Sequence, residues 1–368
     1  MGQIKNLSRL PSLDGWRAFS IVMVLGSHTA FVSGFPEKFH PFLLWGFDGN
    51  LGVRCFFLIS GFLITWLMLR EYDDTGRVNL QHFYARRALR ILPVYCAVLL
   101  ALGLLQLLTP YRPGTDVWLG NLTFLRNFMG DDFTSNHLWS LSVEEQFYFL
   151  WPGIFVACGL AASSGKGWRI LALPVLLAPI SRAIGHIRPD WFLIGPITRG
   201  YSFFSFFDSL AIGCACAILL ARRWNEIENW FKVNRWAALM TGVSLVLVVH
   251  ILNQFSAKFS PLRVGLVPLG PTIQALGMAM LMLHSVVMPQ WGIFRCYNWW
   301  WVRRIGVLSY SIYIWQELFC TKPDVFGLGK VWWMSFPGWL VPVFIVSFIS
   351  YYGLERPFLK LRARLHET

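Results

Sequence analysis

Ten stretches of this 368-residue chain are apolar for long enough to cross a lipid bilayer. They run near residues 16–33, 50–69, 88–108, 139–162, 168–185, 203–221, 236–252, 264–287, 302–320 and 331–354. A spanning helix needs about 20 such residues, and each stretch approaches that length. The expected fold class is therefore all-α: a polytopic membrane helical bundle of about ten transmembrane helices. The fifth and seventh stretches are short or interrupted by Pro, Arg or Asn. The first contains Arg17 and reads as a membrane helix rather than a cleavable signal. No repeat, low-complexity tract or long linker divides the chain. A single membrane domain over residues 1–368, with its core at 10–361 and no additional soluble domain, accounts for it.

Only 14% of the residues are charged, against about 25% in an average soluble domain. The 19 Trp and 31 Phe suit a surface that faces lipid, with Trp at the interfaces. A formal charge of +13 would suit a nucleic-acid binder, but its distribution argues against one. With the N-terminus inside, the cytoplasmic segments carry about twice the Lys and Arg of the external loops. That asymmetry puts both termini in the cytoplasm. The region of Arg182, Arg188 and Arg199 fits the rule poorly. Seven cysteines lie in or beside apolar runs, show no metal-ligand spacing, and read as packing residues.

Against this background the run HLWSLSVEEQFYFLWP stands out, because Glu144 and Glu145 fall inside an apolar stretch. A charge at membrane depth costs about 2.5–3.5 kcal/mol on insertion scales, so ionisable residues there are functional candidates. In the first stretch Arg17 stands at the inner end and His28 follows eleven residues later, about 16 Å along a helix axis. Bland readings are a snorkelling anchor and a histidine bonded to a carbonyl. Arg86, Arg87 and Arg90 open the third stretch, and Arg87 and Arg90 share a face. They suit either a topology signal or an anion site, since planar guanidinium groups grip phosphate with two bonds. Ser140, Glu144 and Tyr148 line one helical face, with Glu145 about 100° away. The fourth stretch runs outside to inside, so Glu144 and His28 are expected at similar depth. Such a carboxylate can hold the tautomer of a histidine base and stabilise its imidazolium. The structural alternative is that both glutamates bond amides or face interfacial water. Asp208 is a further intramembrane acid, placed to orient an acceptor, to pair with Arg199, or to hold helices together.

The stretches LDGWRAFSIVMVLGSH, FFLISGFLIT, FYARRALRILPVY, HLWSLSVEEQFYFLWP, GVLSYSIYIWQ and LERPFLKL together resemble the acyltransferase 3 family of integral membrane acyltransferases. The resemblance runs from residue 13 to 361 and implies a membrane acyltransferase domain of ten helices in a bacterial cytoplasmic (inner) membrane. It implies O-acyl transfer, usually of acetyl from acetyl-CoA, to hydroxyls of cell-surface carbohydrates or other acceptors. Acetyl-CoA enters as donor substrate and no metal is implied. Mapped onto this chain, the family motifs fall on Arg17 and His28, on Arg87 and Arg90, and on Ser142 with Glu144. The expected base is His28 with Glu144 as partner; Arg17, Arg87 and Arg90 are expected to hold acyl-CoA. Ser140, Ser142, Glu145, Tyr148 and Asp208 are expected in support. One departure is visible: where many members read Y-[IL]-W-H, this chain has YIWQ, with Gln316 followed by Glu317.

A transporter with a buried Arg/His/Glu pathway is the competing class, although such proteins often carry internal repeats. A structural scaffold would leave the clustering unexplained. The expected partners are acyl-CoA, a hydroxyl-bearing acceptor and the bilayer, without nucleic acid; self-association stays open. Acceptor specificity is expected in the outer loops at 34–50, 110–137 and 183–202, where Trp45, Asp48, Tyr111, Asp116, Asp131 and Asp132 suit sugar binding as well as an ordinary interface.

Overall fold

The fold is described from a computed structural model over residues 10–161, 166–187, 201–256 and 260–364. Among these residues the chain is helical, and its only β feature is an isolated parallel bridge between Ser33 and Ser335. The helices are α1 (Leu13–Thr29), α2 (His40–Gly46), α3 (Gly49–Thr75), α4 (Leu80–Leu108), α5 (Thr115–Leu122), α6 (Leu138–Ala157) and α7 (Ala172–Ile187). They continue with α8 (Phe203–Ser256), α9 (Ser260–Val287), α10 (Phe294–Tyr297), α11 (Trp300–Trp315), α12 (Glu317–Cys320), α13 (Leu340–Ser350) and α14 (Arg356–Arg364). All seven cysteines are free thiols.

Five of the helical segments are long and apolar enough to cross a membrane: Glu37–Thr75, Leu80–Leu108, Arg169–Ile187, Phe203–Phe255 and Pro261–Val287. The sixth and seventh stretches are separated close to the expected positions. They are two apolar arms of α8, joined through a polar segment where Arg223 (φ −132°, ψ 36°) and Asn234 (φ −105°, ψ 25°) leave helical geometry. The ninth stretch is interrupted at Gln316, between α11 and α12, and the tenth becomes regular helix only at Leu340. The first and fourth stretches fold as α1 and α6, of 17 and 20 residues.

The chain forms two compact units. One comprises residues 1–20, 50–78 and 150–307. Within it, small residues let backbones touch: a Cβ at Gly61 on α3 would overlap the Leu210 carbonyl of α8, and one at Gly213 would overlap Leu58. Close approach through glycine is a common way for apolar helices to associate, because lipid offers no hydrophobic drive of its own. The other unit comprises residues 21–49, 79–149 and 308–368. Its α4 is started by Asn79, whose side chain accepts from the His82 N–H at 3.1 Å. The loop between α5 and α6 is braced by Arg126, which donates to the carbonyls of Met129, Gly130 and Asp132. Tyr111, in the loop before α5, donates to Asp132 at 2.8 Å. Burial, followed by the neighbouring Asp132 carboxylate, pushes the Tyr111 phenol above the usual tyrosine range.

Candidate active site

In the second unit the start of α6 is built around a carboxylate contributed by α12. The first N–H groups of a helix have no intrahelical partner. Here the His137 N–H is taken by Glu317 Oε2 at 2.9 Å. The same oxygen lies 2.7 Å from His137 Nδ1. His137 Nε2 lies 2.9 Å from the Ile314 carbonyl, which can only accept, so Nε2 carries a proton. A further proton must lie between Nδ1 and Oε2, since two lone pairs at that distance would repel. His137 and Glu317 therefore form a hydrogen-bonded pair, 3% and 2% exposed. The negative end of that pair also suits the positive N-terminus of α6.

The other oxygen of the carboxylate points to the first helix. Glu317 Oε1 is 3.9 Å from His28 Nε2, too long for a hydrogen bond and within range of an ion pair. Across the ring, His28 Nδ1 is buried without a hydrogen-bond partner. With Nε2–H directed at the carboxylate, Nδ1 presents a lone pair. One carboxylate thus joins two histidines, one fully engaged and one with a free basic atom. This is the orientation logic of a base steadied by an acid.

Ser140 reinforces the same station. Its Oγ donates to the His137 carbonyl at 3.0 Å and lies 2.6 Å from the Tyr313 hydroxyl. Ser142 bonds back to the Leu138 carbonyl at 3.1 Å, a local helical contact.

A second polar station lies about 12 Å further along α6, eight residues from Ser140. The Arg87 guanidinium of α4 stacks over the Tyr148 ring, 4.7 Å from its centroid, and lies 5.9 Å from that of Phe83. Arg90, Glu144 and Glu145 share its electrostatic surroundings. Glu145 Oε1 is buried without a hydrogen-bond partner. The carboxylate of Glu317 lies 3.9 Å from His28, an approach the sequence reading did not include, and Glu144 is among the acids in the surroundings of Arg87.

The remaining predicted residues lie in the first unit. Arg17 makes an i,i+3 ion pair with Asp14 at 3.8 Å. Asp208, fully buried, takes Arg182 at 2.9 Å, Thr272 at 2.5 Å and the Ser209 N–H at 2.8 Å, with Arg54 at 3.5 Å. Arg182 also donates to the carbonyls of Pro268 and Ser205. Arg199, the neighbour expected for Asp208, lies outside the described residues.

His137 and Glu317 are absent from the sequence-derived site. The signal for Glu317 was present, since it is an acid inside the apolar stretch 302–320, the property that singled out Glu144. His137 opens the motif that carries the glutamates, but nothing in linear sequence ties its ring to a residue 180 positions away.

With that geometry in place, comparison with known proteins is informative. A family model described as an acyltransferase domain matches residues 10–355. A Bacillus subtilis (strain 168) protein named "Putative peptidoglycan O-acetyltransferase YrhL" is 26% identical over 95% of this chain and 54% of its own length. Peptidoglycan O-acetyltransferase OatA of Listeria monocytogenes serovar 1/2a (strain ATCC BAA-679 / EGD-e) is 24% identical over 95% of this chain and 56% of its own length. The chain therefore spans about half the length of these relatives. No solved structure matches it.

Proposed function

The chain belongs to the acyltransferase 3 family, and we propose that it is a membrane O-acyltransferase that moves acetyl from acetyl-CoA to a hydroxyl of a surface carbohydrate. The observation that carries the reading is the single carboxylate of Glu317 shared between His137 at 2.7 Å and His28 at 3.9 Å, with His28 Nδ1 left unpartnered. The names of the relatives favour peptidoglycan as the acceptor.

In this reading the acceptor hydroxyl gives its proton to His28 Nδ1 as its oxygen attacks the thioester carbonyl. The imidazolium so formed is stabilised through Nε2 by Glu317, whose position is fixed by His137. The C–S bond breaks, and the proton passes from His28 to the departing thiolate. A positioned base of this kind contributes typically about 10²–10⁴ in rate. Arg87 and Arg90 are assigned to the phosphates of the donor, for which guanidinium forks are suited. Glu144 and Glu145 are assigned to setting the Arg87 side chain rather than to the base. Asp208 is assigned to holding helices together. Both termini are assigned to the cytoplasm on charge distribution, with the arginines on the donor's side and His28 deeper.

The test is direct. The full chain in lipid nanodiscs is given acetyl-CoA labelled in the acetyl group and soluble peptidoglycan glycan strands, and base-labile label on the glycan is counted. Wild-type transfer that is lost in His28→Ala at equal folded yield supports the reading. Equal transfer by the two proteins would remove His28 as base.

A further inference from the structure

Gln316 stands between α11 and α12, and its side chain is wholly buried. Its backbone is fixed on both sides: its N–H bonds the Ile312 carbonyl at 3.1 Å, and its own carbonyl takes the N–H groups of Phe319 and Cys320 at 3.0 and 3.1 Å. The side-chain amide lies against the His28 ring, within reach of a loose side-chain hydrogen bond to it. Yet neither Nε2 nor Oε1 has a hydrogen bond of good geometry. A buried amide without partners is uncommon in a folded protein and calls for a reason. His28 Nδ1, also buried and unpartnered, lies on the same imidazole.

The two vacancies are complementary. Nδ1 offers a lone pair to an incoming hydroxyl, and the amide offers N–H groups to an oxygen that accepts. A hydroxyl next to a carbonyl is the pair of groups that meet in O-acyl transfer.

We infer that the Gln316 amide binds the carbonyl oxygen of the acyl donor and stabilises the negative charge that gathers there during attack. The inference rests on the O-acyltransferase reading and deepens it. As the hydroxyl oxygen bonds to the acyl carbon, the C=O π electrons move onto the carbonyl oxygen, and the Gln316 N–H donates a hydrogen bond to the oxyanion so formed. Those electrons return as the C–S bond breaks, and the proton held on His28 leaves with the thiolate. Donors preset at a developing oxyanion act on the transition state more than on the bound substrate. The chain's departure from the family histidine at this position then replaces one N–H donor by another.

The experiment measures kcat and the KM for acetyl-CoA on the full chain in nanodiscs, with peptidoglycan glycan strands as acceptor. It is run beside thermal unfolding of wild type, Gln316→Met, Gln316→Ala and Gln316→His. Loss of one oxyanion donor lowers kcat about 10²–10³-fold. We expect that fall in the Met and Ala variants, with kcat and kcat/KM dropping together. The unfolding midpoint should be unchanged or higher, because the amide satisfies no group of the folded protein. Gln316→His should recover a substantial part of the loss through its ring N–H. A Met variant with wild-type kcat overturns the inference, and so does a Met variant whose lost activity tracks a large fall in midpoint, the mark of a structural amide. A wild-type chain that transfers no acetyl overturns the enzymatic reading and this inference together, and the wild-type sample alone tells that outcome from the others.

Discussion

Glu317 holds His137 twice through one oxygen, accepting the backbone N–H at 2.9 Å and lying 2.7 Å from ring Nδ1. The arrangement tolerates no isosteric substitution. In Glu317→Gln, an oxygen at that position can take the N–H but leaves Nδ1 facing it only if His137 changes tautomer and abandons Ile314. A nitrogen there can serve Nδ1 but meets the backbone N–H. Either way one buried hydrogen bond is lost, at about 1–3 kcal/mol. Thermal unfolding in detergent should show a lower midpoint for Glu317→Gln. His137→Ala should do likewise, and the double variant should be less destabilised than the sum of the two, since both delete one interaction.

Arg87 is held by stacking on Tyr148 and by the nearby acids. Arg87→Ala is expected to raise the KM for acetyl-CoA by tenfold or more, in keeping with the loss of a charge-assisted bond. Arg87→Lys should recover only part of that affinity, because an ammonium lacks the planar fork. Calorimetric titration with acetyl-CoA reads the effect; unchanged affinity in both variants would make the arginine a topology signal.

Asp208 lies in a buried cluster with Arg182 and Arg54. Removing one partner of a buried ion pair leaves an uncompensated charge and costs about 3–5 kcal/mol. Asp208→Ala should therefore unfold at a clearly lower temperature. Pairing it with Arg182→Met should restore part of the loss.

The loops flanking α5 supply a pH test. The Tyr111 phenol is pushed up in the folded protein by burial and by Asp132. A raised folded-state value means its contribution is fully present below the unfolded tyrosine value of about 10 and fades as pH rises beyond it. Wild type should lose stability more steeply above that pH than Tyr111→Phe, which should itself be about 1 kcal/mol less stable at neutral pH for want of one hydrogen bond. Parallel pH curves for the two proteins would show that the phenol contributes nothing through its ionisation.

Much of the helical layout was legible, because apolar length is written directly in the sequence. The breaks at Arg223 and Asn234 fall between the stretches 203–221 and 236–252, where the charged run that parts them is plain in the sequence. For the site, His28 and the arginines were visible as charges at membrane depth. Glu144 was matched to His28 by expected depth in the membrane and by the family motif, neither of which says anything of the residue at the break between α11 and α12 that lies 3.9 Å from His28. Glu317 was masked by the same attention to Gln316 as a departure from the family pattern. Asp208 was recognised as buried, but its partners Arg182 and Arg54 come from other helices, and spacing in sequence carries no information about them.

The most direct measurement compares kcat and the KM for acetyl-CoA among Glu317→Gln, Glu144→Gln and wild type, each at matched folded yield in nanodiscs. Removing the carboxylate that steadies a base should lower kcat about 10²–10⁴-fold. The account predicts that fall for Glu317→Gln with the donor KM little changed, and for Glu144→Gln a raised KM with the smaller loss of kcat. Wild-type kcat in Glu317→Gln together with abolished turnover in Glu144→Gln would contradict it.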